Sequence, residues 1–278
     1  MAKNPPQHVV LRPFAGLPNE PDWVAMREII PSATARVVTT AQYGSREVTV
    51  VTALPGGYTA MHRPDGSVLL ALQGALSSGD LSHDLAVTLL AAIDAEPGTA
   101  FPVMPSDGSA VRLQDVLDVN APFDLQVQQG YDYWLDATAE RSEEVEQSLR
   151  EAAETSVPTV AVAGVEHAFW CQMSKEFVRW VRSEDEDAVV DAIARLHATR
   201  DSALQCPGGQ GRFLGMFRAA GLVVPVWELP QGTTAADVAG PLKELESRLD
   251  AALAVTEPLT ANERRARAGI VSRQVTLR

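Results

Sequence analysis

Cysteine is nearly absent: the 278 residues hold two, Cys171 and Cys206, far apart and without a C-x-x-C pair. That excludes a disulfide scaffold and the common zinc and redox motifs, and it fits free, buried thiols in a reducing compartment better than a bond between the two. Clustered metal ligands are missing as well. The histidines His8, His62, His83, His167 and His197 are scattered. The neighbours His83–Asp84 and Glu166–His167 would point to opposite faces of a strand, or about 100° apart on a helix. No G-x-x-x-x-G-K-[ST] loop cradles a nucleotide phosphate and no G-x-S-x-G elbow presents a serine nucleophile. No apolar run approaches the ~20 residues of a membrane span, and the N-terminus lacks the apolar stretch of a secretory signal. Positive charge is the scarce sign. Lys and Arg total 23 against 36 Asp and Glu, a net −13, which repels nucleic acid and anionic membranes. These absences together predict a cytoplasmic protein without metal or cofactor.

What is present is a globular composition, 46% hydrophobic and 21% charged, in a chain long enough for one large domain or two small ones. Five prolines in residues 1–21 predict an extended arm, with Val9, Val10, Leu11 and Phe14 available to pin it. Asp22 is placed to cap a helix that stops before Pro31. Segments 36–41, 47–53, 58–63 and 67–73 are rich in Val, Thr and Tyr and read as an antiparallel meander, with a hairpin turn at Pro64-Asp65-Gly66. Asp80 caps a helix over 81–95, and 111–119 is a shorter one. Segments 123–128 and 131–135 read as a hairpin turning at Gln129-Gly130. Thr138 then opens a strongly acidic helix over 139–154 whose glutamates read as a solvated face.

The segment 157–227 holds Trp170, Trp180 and Trp227, three of the five tryptophans, and so the heaviest part of the core. Strands are expected at 158–163, 167–173 and 176–182, a helix at 184–198 and a hairpin over 212–229. Pro225 points to an edge position or a bulge. A helix from about Thr234 is interrupted at Gly240-Pro241. Leu242, Leu245, Leu249 and Leu253 repeat at helical spacing, as core or as a partner's seam. Thr260 and Glu263 form a capping box for a last helix over 261–268, ended by Gly269, with 270–277 as a strand or extended tail.

The fold class is therefore α+β, with antiparallel sheets packed with helices. The halves show similar element orders, which read either as two tandem units or as one continuous domain. The order resembles the type III secretion chaperone-like fold at the level of pattern alone. The expected divisions are an arm (1–21), a first unit (22–138), a second (139–258, helix 139–154 shared) and a basic C-terminal helix and tail (259–278).

Candidate chemistry is sparse. A Cys171–His167 dyad on one strand face lacks anything to lower the thiol pKa. The glycine-rich stretch Cys206–Arg212 reads as a flexible connection, or as an anion cradle without its lysine. From 263 to 278 there are five arginines and one acid. This tail either docks on the acidic body or offers Arg264, Arg265, Arg267 and Arg273 to an acidic partner or RNA. No interleaved aromatics suggest base stacking. The leading expectation is a non-enzymatic protein-binding or adaptor module, or a homodimer through an edge strand, with Trp170, Arg179 and Arg218 as further binding candidates. The competing one is an enzyme or binder acting on an anionic small molecule through Arg179, Arg182 and Arg218 near the glycine-rich stretch.

The runs EHAFWC with FVRWVR, then GLVVPVWELP and LTANERRARAGIVSRQVTLR, resemble an uncharacterised bacterial family known only as a domain of unknown function, over about 14–278. Some relatives are labelled SecA-like and carry an N-terminal zinc-binding SEC-C motif. This chain has no cysteine before Cys171, so it lacks that motif. The resemblance implies a bacterial cytoplasmic setting and supplies no activity and no site residues.

Overall fold

The computed structural model describes residues 9–75, 77–136 and 141–274, with residues 273 and 274 as backbone only. It divides into two compact units, 1–156 and 157–278. Seven helices and two six-stranded, largely antiparallel sheets make up the described residues, an α+β fold. No helix among them is long and apolar enough to cross a membrane.

In the first unit the arm is fixed by Phe14, fully buried and 5.6 Å from the ring of Trp23, while Val9 and Leu11 stay exposed. Helix α1 spans Glu20–Glu28. It is entered through Asn19 in the left-handed region, with Pro21 in the first turn. Asp22 is therefore inside the helix and not its cap: its N–H donates to the Asn19 carbonyl at 2.8 Å. Strands β1 (Ala33–Val38), β2 (Glu47–Val51), β3 (Ala60–His62) and β4 (Val68–Ala71) precede α2 (Leu81–Asp94). Asp80 caps α2 as expected, accepting from the Ser82 N–H at 3.0 Å. Strand β5 (Thr99–Phe101), the one-turn helix α3 (Leu113–Val116) and strand β6 (Gln126–Val127) follow, and α4 (Glu143–Glu154) closes the unit. The strand order is β5-β3-β4-β2-β1-β6.

The all-antiparallel meander is not what forms, because β2 and β4 run parallel, from Val48↔Val68 to Val51↔Ala71. The reason lies in β4. All four of its residues, VLLA, are buried, and an unbroken apolar strand belongs in a sheet interior. The Pro-Asp-Gly turn, with Asp65 accepting from Ser67 N–H at 2.8 Å, ties β3 antiparallel to β4. Strand β4 then slots beside β2 and leaves β3 outside it.

In the second unit β7 (Thr159–Ala161), β8 (Ala168–Gln172) and β9 (Glu176–Trp180) form a meander. Helix α5 (Glu186–Thr199), capped by Asp185, leads to β10 (Leu204–Cys206), β11 (Gly209–Ala219) and β12 (Leu222–Glu228). Helices α6 (Ala235–Leu253) and α7 (Ala261–Gln274) complete it. The sheet, β10-β11-β12-β9-β8-β7, is antiparallel throughout. Its core joins Trp180, Phe213 and Trp227 to Val189, Val190 and Ile193 of α5 and to Leu242, Leu245 and Leu249 of α6. The leucine seam is thus core, and burying each such side chain contributes roughly 1.5–3 kcal/mol. The two units share a strand number but not a connectivity: helix α2 follows the fourth strand of the first sheet, and α5 follows the third of the second. Helix α4, expected to be common to both units, falls in the first.

Five further expectations need correcting. The glycine-rich stretch is no flexible connection but the turn between β10 and β11, with Cys206 opposite Gly209. Pro225 sits in β12, a central strand. Its missing N–H would face β9, since the neighbouring odd residue Val223 accepts from Arg182 N–H on that side. The bulge lies instead in β11, between Phe213 and Gly215. Helix α6 runs through Pro241. The carbonyl it leaves unpaired, on Asp237, lies on a half-exposed face where water can satisfy it. Helix α7 continues past Gly269 to Gln274, so no strand follows up to that residue. It continues because Ile270, one residue on, is fully buried against the second unit's core. Segment 131–135 is a 3-10 turn, Asp132–Trp134, and not a strand.

Both cysteines are free and buried. Burial pushes the Cys171 thiol above its ordinary value, partly offset by the charge of Arg179, and burial likewise raises Cys206. His167 adopts a left-handed turn conformation before β8 begins, so it does not share the strand face of Cys171. Neither thiol should react with a thiol-exchange reagent in the folded protein at pH 8, and both should titrate on denaturation; rapid native labelling of Cys171 would contradict this burial.

Candidate functional site

A cleft of about 530 Å³ in the first unit lies between the strand edge at Val127 and helix α4. Its walls derive from simple local rules. Strand β6 pairs with β1 through Ala33↔Val127 and Thr34↔Gln126, and Gln128 N–H donates to the Ser32 carbonyl at 2.9 Å. Peptide groups of a strand alternate sides, so the N–H and C=O of Val127 point away from β1. Strand β6 is last in its sheet, so among the described residues no strand pairs with those groups on the side of the cleft.

The 3-10 turn Asp132–Trp134 forms one end of the cleft. It is pinned by the polar tips of its aromatics. Tyr131 Oη donates to the Pro31 carbonyl at 3.1 Å, and Tyr133 Oη and Trp134 Nε1 both donate to the Ala53 carbonyl, at 3.2 and 2.9 Å. Burial pushes the Tyr133 phenol up to about 12. Helix α4 forms the opposite wall. Ser142 caps it by accepting from Val145 N–H, and Glu143, Glu144 and Glu146 occupy the first turn, where the helix dipole favours negative charge. Leu149 is its one buried residue and lines the floor with Ala153 and Val127. Asp132 and Glu146 stand at the rim, bridged by Arg141 at 2.7 and 2.9 Å. These two hydrogen bonds raise the guanidinium pKa of Arg141 further. The helix was legible in sequence; its N-terminal residues expected at 138–140 lie outside the described residues. The cleft was not legible, because it depends on which edge β6 takes.

The residues singled out in sequence do not converge. Arg267 binds Asp187 and, at 2.6 Å, Asp191, both on α5. Arg264 donates to the Leu259 carbonyl within its own helix entry, and Arg265 to Asn262 Oδ1 at 2.9 Å. The Arg273 side chain lies outside the described residues. Trp170 Nε1 donates to the Thr233 carbonyl at 2.8 Å. Arg218 binds Glu186 at 2.7 Å, and Arg182 binds Glu184 and lies 4.4 Å over the Trp180 ring. Arg179 reaches the Met173 sulfur at 3.6 Å. The cleft beside the glycine-rich turn is lined by Arg200 and Arg212 instead. Among the described residues no three His, Cys, Asp or Glu side chains form a metal-holding group.

The fold and the cleft define a two-unit α+β protein with an open sheet edge facing an acidic amphipathic helix. Residues 13–278 match a family of unknown function, DUF5926, and the chain belongs to that family. No curated protein and no solved structure matches it.

Proposed function

We propose that this chain is a non-enzymatic, cytoplasmic protein-binding module that takes an extended, basic segment of a partner alongside β6. The open backbone edge at Val127, facing α4 across the cleft, carries this reading. Adding a strand to a sheet edge uses main-chain hydrogen bonds for affinity and side-chain pockets for choice of sequence. Here Leu149 and Ala153 offer an apolar floor, and Asp132 and Glu146 offer carboxylates at the rim. Arg141 already bridges those carboxylates. An incoming arginine or lysine would replace it, which favours a basic partner over an acidic one. The net −13 of the chain acts in the same direction. The ion pairs made by Arg267 favour the tail as a docked part of the body over a free basic arm.

Val127→Pro tests the proposal. Its N–H points away from β1, so proline removes the donor a partner strand needs and leaves the β1–β6 bonds in place. An alternating Val-Arg peptide is expected to bind the wild-type chain and to lose about tenfold or more in affinity on Val127→Pro. A Val-Glu peptide should not bind. Equal binding of the Val-Arg peptide to both proteins would remove the edge from the mechanism. Concentration-dependent dimerisation abolished by the same substitution would make a second copy the occupant.

A further inference from the structure

We infer that the second unit carries a separate anion site, at the junction of the α5 C-terminus with the β10–β11 hairpin, that takes a small phosphomonoester. A cleft of about 470 Å³ opens there, within the range of small-molecule pockets. It is lined by Arg200, Arg212, His197, Ser202, Gln210 and Phe213, together with Ala203. The chain has 36 acidic residues, yet none among the described residues lines this cleft, whereas two arginines do. The set is rich in donors and calls for a ligand rich in acceptors.

The state of the two guanidiniums separates them from three other arginines of the unit. Arg182, Arg218 and Arg267 are each tied to carboxylates in close pairs. Arg200 makes no ion pair among the described residues. Arg212 has only a 3.5 Å contact with Glu228, which is held more closely by Lys175 at 2.8 Å. Both arginines keep most of their hydrogen-bonding capacity, and a phosphate dianion accepts from two forks at once.

Arg200 also sits in an unfavourable place. It ends α5 in the left-handed conformation, φ 69°, where glycine or asparagine is the usual residue and a Cβ is penalised. A long cation held there points to a role beyond ending the helix. The helix end itself does not oppose an anion strongly. The carbonyls of Leu196 and His197 already accept from the N–H groups of Asp201 and Arg200, at 2.8 and 3.2 Å. His197 Nδ1 lies 3.0 Å from Ser202 Oγ, which fixes the imidazole in the wall of the cleft. Phe213, its ring 6.1 Å from His197, adds an apolar side that suits the organic part of a phosphomonoester.

The test titrates the full chain with inorganic phosphate and with phenyl phosphate at constant ionic strength. Binding is followed by ³¹P line width and by tryptophan fluorescence, because Trp227 Nε1 donates to the Ser202 carbonyl at 2.7 Å. Saturable binding of phosphate is expected in the millimolar range, with phenyl phosphate about tenfold tighter. Arg200→Gly is expected to raise Tm by about 3 °C through relief of the left-handed strain, while weakening phenyl phosphate about tenfold or more. Arg212→Gln, at an exposed strand position, should weaken it similarly without changing Tm, and it serves as the probe if Arg200→Gly does not fold. The absence of saturation, affinity unchanged in both variants, or phenyl phosphate no tighter than phosphate or benzoate would each overturn the inference.

Discussion

Trp227→Ala is expected to unfold the second unit at a temperature lower by about 12–20 °C. Trp227 is 1% exposed in the central strand β12. Its ring lies 5.3 Å from Phe213 and 6.3 Å from Trp180, and its N–H donates to the Ser202 carbonyl at 2.7 Å. Truncating a buried tryptophan costs about 3–5 kcal/mol through lost transfer energy and the cavity left behind. A unit of this size loses about 4 °C of Tm per kcal/mol. Trp227→Phe retains most of the apolar contact and leaves only the Ser202 carbonyl unpaired, so it should cost about 1–3 kcal/mol. Differential scanning calorimetry of the three proteins checks the order. A loss below about 1 kcal/mol for Trp227→Ala would mean that this aromatic group does not hold the sheet to α5 and α6.

The weight of that cluster was legible beforehand, because tryptophan density and strand alternation are properties of the segment itself. The same holds for the Asp80 cap, the Pro-Asp-Gly hairpin, the Thr260–Glu263 capping box and the leucine spacing of α6. What failed depended on neighbours distant in sequence. Nothing within 47–71 states that β4 will insert beside β2, because parallel and antiparallel pairing use the same residues and only the order of burial separates them. Local rules make Pro225 an edge marker and Gly269 a helix end. The missing donor at Pro225 is tolerated where β12 meets β9, and Gly269 is overridden by Ile270 one residue later.

The candidate sites follow the same division. The acidic character of α4 was evident, and a solvated face was the reasonable expectation for it. The groove beside it exists only because β6, two residues long, takes the outer edge next to β1. The sequence points to Arg179, Arg182 and Arg218 as the arginines near the glycine-rich stretch. The pair lining the cleft is Arg200, just past a helix end, and Arg212, at the start of β11. The signal that could have pointed to Arg200 is the junction 197–203, HATRDSA, where no glycine or proline follows the predicted helix. Where such a helix does end in the left-handed region, an ordinary residue has to occupy it.

Removing residues 259–278 should destabilise the second unit rather than merely strip a binding tail from it. Helix α7 buries Ile270 completely and packs Ala266 against the core. Arg267 bonds to Asp187 and Asp191, and Arg195 of α5 pairs with Glu263 at 3.5 Å. Solvent-screened ion pairs contribute little, whereas Ile270→Ala should cost about 2–4 kcal/mol, so apolar contact decides the docking. Acid should loosen it in part. Hydrogen bonds from the Thr260 backbone and hydroxyl hold the Glu263 carboxyl below its ordinary 4.5, and those from Thr234 hold Asp237 below 3.8. A carboxyl with a depressed folded value stabilises the fold above its unfolded value, and that stability disappears as pH falls through the folded one. Loss of the α6 and α7 capping boxes is therefore expected below about pH 4, and Ile270, which does not titrate, should keep α7 partly docked. Hydrogen exchange of α7 between pH 7 and pH 3, beside the thermal unfolding of Ile270→Ala and of the chain ending at 258, measures both contributions. A truncated chain with unchanged Tm would show that the last helix rests on the body without stabilising it, and would return its arginines to the role of a partner-binding arm.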